Sequence, residues 1–184
     1  MQAVEIDISR ALKISGWMNP TELAWLAWQA SQHSNIAEIG SFMGRSTRAL
    51  AENTSGIVDA IDLWKRNDEY QELQKDLTEE EIFAIFEKNV AGLRVYARRM
   101  PSLVAAKSSA LRGETFDMVF IDGAHDYESV KADILAWKPL IKSGGLLCGH
   151  DFRAEFPGVT EAVLELEPKA QLVTAYTSIW GVQV

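Results

Sequence analysis

The chain has 184 residues, 47% apolar and 24% charged, with a formal net charge of −8. This length suits one domain over residues 1–184 with a core of its own, and residues 1–33 are expected to form a helical cover for it. The acidity argues against a nucleic-acid backbone as partner, and no apolar run approaches the roughly eighteen residues of a membrane helix. The single cysteine, Cys148, precludes an internal disulfide. With no basic-then-apolar leader at the start, a cytoplasmic location is expected.

Residues 4–13 have weak helical character, broken at Gly16 and followed by Trp17 and Met18. Asn19-Pro20-Thr21-Glu22 reads as a helix start, with Asn as N-cap, Pro at the first helical position and Glu at the third. That helix runs to about residue 32. An apolar run over residues 36–39 predicts a buried parallel strand; Gly40 and Gly44 bracket a turn, and residues 45–52 resume as a helix. A second strand spans residues 56–62. The polar stretch 63–92 contains Thr78-Glu79-Glu80-Glu81, a cap for a helix whose Ile82, Ile85 and Phe86 share one face. A third strand is placed at residues 94–98, with Arg98 and Arg99 solvated, and a short helix at 101–107. Residues 116–122 form the clearest strand, ending in an acid. A helix over 127–140 and a turn at 143–145 lead to a strand at 146–149 and to His150-Asp151. A helix from 157 to 166 precedes a hairpin of residues 172–176 and 179–184. Strands alternating with helices up to a terminal hairpin predict an α/β fold, one doubly wound, mostly parallel sheet with an antiparallel edge. Glu38, Asp62, Asp122 and Asp151 then stand at the carboxyl ends of its strands.

A strand, glycine turn and helix build a small-molecule site at the carboxyl end of the first strand. Glycine there supplies backbone conformations closed to other residues and lets the backbone approach a ligand. Asp62 lies 22 positions after Gly40, at the end of the next strand, placed to accept hydrogen bonds from the ribose hydroxyls of a nucleoside. Its alternative is an ordinary turn aspartate. A dinucleotide turn would read Gly-x-Gly-x-x-Gly; this one reads Glu38-x-Gly40-x-x-x-Gly44. The acid and the missing third glycine suit a pyrophosphate poorly. A sulfonium donor with an amino-acid tail, S-adenosylmethionine, is better matched by Glu38, the backbone at Gly40 and Ser41, and the Ser46 hydroxyl.

These motifs, Glu38-Ile-Gly40-Ser41-x-x-Gly44-Arg-Ser46, Asp62-Leu-Trp64, Phe120-Ile-Asp122-Gly-Ala-His125-x-Tyr127, Lys142-Ser-Gly144-Gly145 leading to His150-Asp151, and Ser178-Ile-Trp180, occur in one order along residues 15–184. Together they resemble the class I S-adenosylmethionine-dependent methyltransferases. The similarity is greatest to the compact branch of catechol, caffeoyl-coenzyme A and cephalosporin-hydroxylase-like enzymes. The resemblance implies a seven-stranded, Rossmann-like sheet in the order 3-2-1-4-5-7-6 with the seventh strand antiparallel. It implies methionine contacts around Gly40, Ser41, Gly44 and Ser46, a ribose contact at Asp62, and an adenine site beside Leu63 and Trp64 with Met100 or Ser102 on its other side. Asp122 and the pair His150-Asp151 fall where the branch holds a divalent ion, Mg²⁺ or Mn²⁺; the imidazole of His150, where that pattern has a carboxylate, suits Mn²⁺, Fe²⁺ or Zn²⁺ better than Mg²⁺, and the alternative is that His150 and Asp151 only hydrogen-bond the loop or substrate.

His125 stands where the catechol-type enzymes carry their catalytic lysine, three positions after Asp122. Histidine titrates near neutrality and can take the proton of an acceptor hydroxyl as it attacks the methyl carbon. The alternative role is capping the following helix. The expected activity is therefore methyl transfer to a small-molecule acceptor, most simply a hydroxyl, with His125 and Asp122 as catalytic groups. Asp122-Gly-Ala-His occupies the position of the Asn/Asp-Pro-Pro-Tyr/Phe segment of nucleic-acid amino methyltransferases. The rivals are a nicotinamide-dependent oxidoreductase and a non-catalytic nucleoside-binding protein. Residues 1–18, 63–77 and 152–157 are expected to shape the acceptor pocket, and apolar residues near the N-terminus suggest a homodimer.

Overall fold

The computed structural model describes residues 5–66, 73 and 76–184. Of the segments expected to shape the acceptor pocket, residues 1–4, 67–72 and 74–75 lie outside the described residues. Among the described residues, seven strands form one sheet: β1 (Asn35–Ile39), β2 (Ile57–Asp62), β3 (Val95–Arg99), β4 (Phe116–Ile121), β5 (Ile141–Gly149), β6 (Gln171–Leu172) and β7 (Trp180–Gln183). Their order is β3-β2-β1-β4-β5-β7-β6, with β1 to β5 parallel and β7 antiparallel to both its neighbours. The sheet is the one the sequence implied.

Among the described residues it is covered by the helices α1 (Pro20–Ala30), α2 (Arg45–Asn53), α3 (Glu79–Val90), α4 (Ser102–Arg112), α5 (Tyr127–Trp137) and α6 (Pro157–Leu166). The two-residue period of the strands sorts them into layers. Ile36, Val58, Met118 and Phe120 face α1 and α2 through Leu23, Leu26, Ala49 and Leu50. Ala37, Ile61, Val119 and Ile121 face α4, α5 and α6 through Ala105, Ile134, Trp137 and Val163. Alpha-helix 1 begins as its sequence dictates. The Asn19 side chain accepts the amides of Thr21 and Glu22 at 2.8 and 3.1 Å, and Glu22 Oε2 accepts the Asn19 amide at 2.9 Å. Among the described residues no helix is long and apolar enough to cross a membrane.

Three local expectations are corrected. Of the weak N-terminal helix only a single 3₁₀ turn forms, Ala11–Lys13, because an isolated turn gains too little to offset helix nucleation. The short helix after β3 runs on to Arg112 and stops at Gly113, whose φ of 66° closes the end. Arg98 is buried rather than solvated, at 2% exposure. It points under α4, where its guanidinium donates to Ser109 Oγ (2.7 Å), the Ala105 carbonyl (3.0 Å) and Asp59 Oδ2 (3.2 Å). The hydrogen bonds compensate its burial, and removing one partner strands the other. Arg98→Met should therefore destabilise the domain by about 3–5 kcal/mol in urea unfolding, whereas an exposed arginine would cost a few tenths.

Candidate active site

The register lines up the strand ends. Ile39 pairs with Ile61 and Ile121, and Ile121 with Gly149. The residues that follow, Gly40, Asp62, Asp122 and His150, therefore start from one line along the sheet edge. Backbone bonds carry the ladder one residue further: Gly40 N to Ile61 O (2.8 Å), Asp122 N to Ile39 O (2.8 Å) and His150 N to Ile121 O (3.0 Å). Gly40 has φ +91°, and a Cβ there would lie 2.0 Å from the Asp122 carbonyl oxygen. The close approach this glycine allows is to the protein's own backbone at the end of β4.

The Gly40 turn is tied from within. Glu38 is fully buried; its Oε2 accepts the Ser41 hydroxyl at 2.7 Å and the Thr47 hydroxyl. Burial raises its pKa, against the pull of the Ser46, Thr47 and Ser41 hydroxyls. Its Oε1 is buried without a hydrogen-bond partner among the described residues. Asp62 holds the next loop: Oδ2 accepts the Phe42 amide at 2.8 Å and Oδ1 the Trp64 amide at 2.7 Å. Phe42 (φ 43°) and Trp64 (φ 47°) are both left-handed, so these bonds hold strained residues in place. Burial raises the Asp62 pKa, while the Phe42, Trp64, Leu63 and Ser41 amides pull it back.

The adenine side differs from expectation at two residues. Trp64 is 1% exposed, packed on Phe83 and Phe86, with its indole N–H donated to the Phe42 carbonyl at 2.7 Å. Its ring has no free face for a ligand and instead braces the turn; Leu63, 41% exposed, is the surface residue of the pair. Ser102 Oγ accepts the Trp137 indole N–H at 2.7 Å and also pulls on Asp133, so its hydroxyl is engaged inside the α4–α5 interface. Met100 is partly buried against the same core cluster. Trp17, 56% exposed, lies against Phe42 with ring centroids 5.2 Å apart, and the Arg45 side chain bonds the Met18, Ile14 and Leu12 carbonyls, fixing the N-terminal strap beside the turn.

Asp133 itself is a buried acid whose pKa is pushed up to about 6, by burial first, with Ser102 opposing and Asp126 adding to it. An acid with a raised folded pKa holds its proton more tightly folded than unfolded. Stability should fall as pH rises from about 3.8 to about 6 and stay low above that. Asp133→Asn, which cannot ionise, should be more stable than wild type by about 2–3 kcal/mol at pH 8. The advantage should roughly halve at pH 5; chemical denaturation at the two pH values measures it.

The chemistry-bearing side chains converge beyond β4 and β5. His125 Nε2 is 3.0 Å from Asp151 Oδ2, and its ring lies 4.3 Å from that of Phe156. His150 is 7% exposed, with Nδ1 3.2 Å from Asp151 Oδ1 and 3.5 Å from Asp122 Oδ1. Its Nε2 is 3.1 Å from Glu22 Oε1 and 2.9 Å from Ser178 Oγ. The helix after His125 is capped by Asp126, which accepts the Ser129 amide at 2.9 Å, so His125 is not the cap. Ile121, Val130, Val159 and Trp180 give this polar cluster an apolar floor. Asp151 has φ +60°, a strained conformation in which both carboxylate oxygens are engaged.

Burial pushes Asp122 up to about 7, with Asp151 and Glu38 adding to it and His150 and His125 opposing. Burial alone would discharge His150, but Asp122, Asp151 and Glu22 outweigh it and raise its pKa to about 10. For Glu22 burial likewise opposes charge, yet His150 and the Ser178 and Asn19 amides bring it down to about 2. Asp151 is held well below the carboxylate range by His125 and His150 despite burial. Asp122, His150 and Asp151 each offer one ligand atom, all within 4.8 Å of one another, a spacing that one divalent ion can bridge.

The sequence concealed Glu22, Thr47, Phe156 and Ser178. Glu22 was fully accounted for as a helix cap, yet one of its oxygens caps while the other reaches His150. Ser178 lay in a motif with no assigned role.

Residues 37–152, more than half of the chain, match the family model described as a methyltransferase domain. No curated protein matches the sequence. Among solved structures, the fold is similar to cofactor-bound Rv0187 from MTB, at TM-score 0.68 and 20% identity, covering 96% of this chain and 86% of that one. It is also similar to the O-methyltransferase from Bacillus cereus in complex with SAH (TM-score 0.64, 20% identity, 100% and 94% covered). A third neighbour is the precorrin 8w decarboxylase of Methanobacterium thermoautotrophicum (TM-score 0.64, 16% identity, 94% and 95% covered). The varied chemistry of these neighbours leaves the acceptor to be argued from the site. The match over the glycine turn and all four acidic strand ends, on a sheet ordered 3-2-1-4-5-7-6, establishes that the chain belongs to the methyltransferase domain family, with the fold of its class I S-adenosylmethionine-dependent members.

Proposed function

We propose that this chain transfers the methyl group of S-adenosylmethionine to a hydroxyl of a small molecule, with His125 as proton acceptor. The observation that carries the reading is the His125–Asp151 pair, 3.0 Å apart, on the sheet edge that also bears the Gly40 turn. With Nε2–H donated to Asp151, Nδ1 is the basic nitrogen. When the hydroxyl oxygen attacks the methyl carbon in line, a C–O bond forms as the C–S bond breaks. The hydroxyl proton passes to His125, and Asp151 stabilises the resulting imidazolium. The protein's main contribution is alignment of donor and acceptor.

The residues present fit the donor. Glu38 Oε1 is a buried carboxyl oxygen without a hydrogen-bond partner among the described residues, and an ammonium or an ordered water beside the turn would satisfy it. Asp62 stands at the end of β2, where the ribose hydroxyls are expected, and holds the Phe42 loop there. They also fit a divalent ion. Asp122, His150 and Asp151 would hold it, and a carboxylate on the far nitrogen of the histidine, here Glu22, is the usual outer partner of a histidine ligand. The imidazole favours Mn²⁺ over Mg²⁺, and a bound ion would polarise the acceptor oxygen. Beside Asp151 an open cleft lined by Phe152, Arg153, Pro157, Thr160 and Leu172 takes in much of the 152–157 segment expected to shape the acceptor pocket.

Calorimetric titration with S-adenosylhomocysteine and with NAD, each with and without Mn²⁺ or Mg²⁺, followed by a screen of hydroxylated acceptors with methyl-labelled donor, tests the reading. Binding of S-adenosylhomocysteine and label transfer to a hydroxyl are expected. Binding of NAD alone would overturn it, and donor binding without transfer to any acceptor would replace it with a non-catalytic role.

A further inference from the structure

We infer that Glu22, on the first turn of α1, is a positioning residue for the catalytic cluster: it fixes the ring of His150 so that Nδ1 faces Asp122 and Asp151. The helix that covers the fold thereby becomes part of the site. The inference rests on reading His150 as a member of that site.

The geometry divides Glu22 between two tasks. Oε2 closes the helix cap on the Asn19 amide at 2.9 Å. Oε1 collects three donors from distant parts of the chain: His150 Nε2 at 3.1 Å, the Ser178 amide at 2.9 Å and the Ser178 hydroxyl at 3.2 Å. Glu22 is 4% exposed, and a carboxylate buried this deeply needs partners for both oxygens, which Oε1 finds in His150 and Ser178. One oxygen thus joins α1, the end of β5 and the segment leading into β7. An imidazole with acceptors facing both nitrogens has its orientation defined from both sides. Without Glu22, Nε2 keeps, among the described residues, the Ser178 hydroxyl, a single uncharged partner that rotates about its own bond. Oriented by a carboxylate, the ring keeps Nδ1 toward Asp122 and Asp151.

The chain has three histidines, so ring resonances in long-range ¹H–¹⁵N spectra can be assigned by single substitutions. Wild type should show a protected Nε2 proton on His150. Glu22→Ala should lose it or speed its exchange by about tenfold or more, since the bond that protects it is gone. Asn19→Ala is the control. It removes the cap acceptor on the same turn and should lower the melting temperature, yet leave the His150 resonance in place. Persistence of that proton in Glu22→Ala, its absence from wild type, or its equal loss in Asn19→Ala would overturn the positioning role. Should the alanine variant fail to fold, Glu22→Leu, of similar bulk and without an acceptor, repeats the test. Mn²⁺ titration followed by electron paramagnetic resonance separates this inference from the metal reading. If wild type binds Mn²⁺, Glu22→Ala should bind it about tenfold or more weakly, and undiminished affinity there would overturn the role toward the ion. If wild type does not bind Mn²⁺, the metal reading falls and the resonance still decides the role of Glu22.

Discussion

Gly40→Ala should cost the fold about 4 kcal/mol or more and abolish binding of S-adenosylhomocysteine, whereas Gly92→Ala should cost only about 1–2 kcal/mol. Both glycines are left-handed, at φ +91° and +79°, so both substitutions incur backbone strain. Only at position 40 does the new Cβ meet anything. It would lie 2.0 Å from the Asp122 carbonyl oxygen, 2.5 Å from its carbonyl carbon and 2.8 Å from Gly123 Cα, while at position 92 nothing lies within 4 Å. All three contacts at Gly40 are backbone, held by the β1–β4 ladder and by the bond from Asp122 N to Ile39 O. No side-chain rotation relieves them, so the ends of β1 and β4 must part. Parting them displaces the donor turn relative to Asp122. Urea unfolding of the two variants separates strain from clash, and calorimetry reads the loss of the ligand site. Equal, small destabilisation of both would mean that the strand ends yield more easily than their bonding implies.

The same contact explains why the turn was legible and what it concealed. A glycine after an apolar strand marks a site because side chains at that edge are excluded, and the sequence carries that mark whether a ligand or the chain itself comes close. Here the chain comes close. The sheet order, the alternation of layers and the cap of α1 were readable because each rests on local pattern: two-residue periodicity, Asn-Pro-x-Glu spacing, acids at strand ends. Arg98 was misplaced for the opposite reason. Its burial depends on Asp59, on β2, and on Ser109, on α4, and no local pattern distinguishes a paired arginine from a solvated one. The N-terminal residues 4–13 have helical composition, but of those described only Ala11–Lys13 form a turn.

Within the candidate site, the sequence points to the residues on the strand ends and not to those that touch them. Asp122, His125, His150 and Asp151 announce themselves by type and by position after β4 and β5. Glu22 and Ser178 come from segments 156 residues apart, and only the closed sheet brings them to His150. Trp64 illustrates a different ambiguity. An aromatic beside a nucleoside-binding acid suits stacking on a base and bracing of a loop equally well, and the choice depends on whether Phe83 and Phe86 cover its ring, which they do.

His125→Ala should lower methyl transfer by about 100- to 10,000-fold on any hydroxylated acceptor that the wild type methylates, the range over which a positioned general base contributes. Affinity for S-adenosylhomocysteine should change by less than about twofold, because His125 stands beside the proposed acceptor end while the donor is assigned to Glu38, Ser41 and Asp62. The fold should survive. Asp126 caps α5, and His125 is 20% exposed by side chain, so the alanine removes contacts with Asp151 and Phe156 without opening the core. Asp151→Asn makes the complementary cut. Asparagine tolerates the left-handed backbone at φ +60° and keeps an oxygen to accept from Nε2, but removes the charge that stabilises the imidazolium. If His125 is the base, Asp151→Asn should also lose turnover, and combining the two substitutions should cost little more than His125→Ala alone, as expected of residues acting as a unit. Additive losses would show that Asp151 acts independently of His125, and full turnover by His125→Ala would remove the histidine from the chemistry altogether.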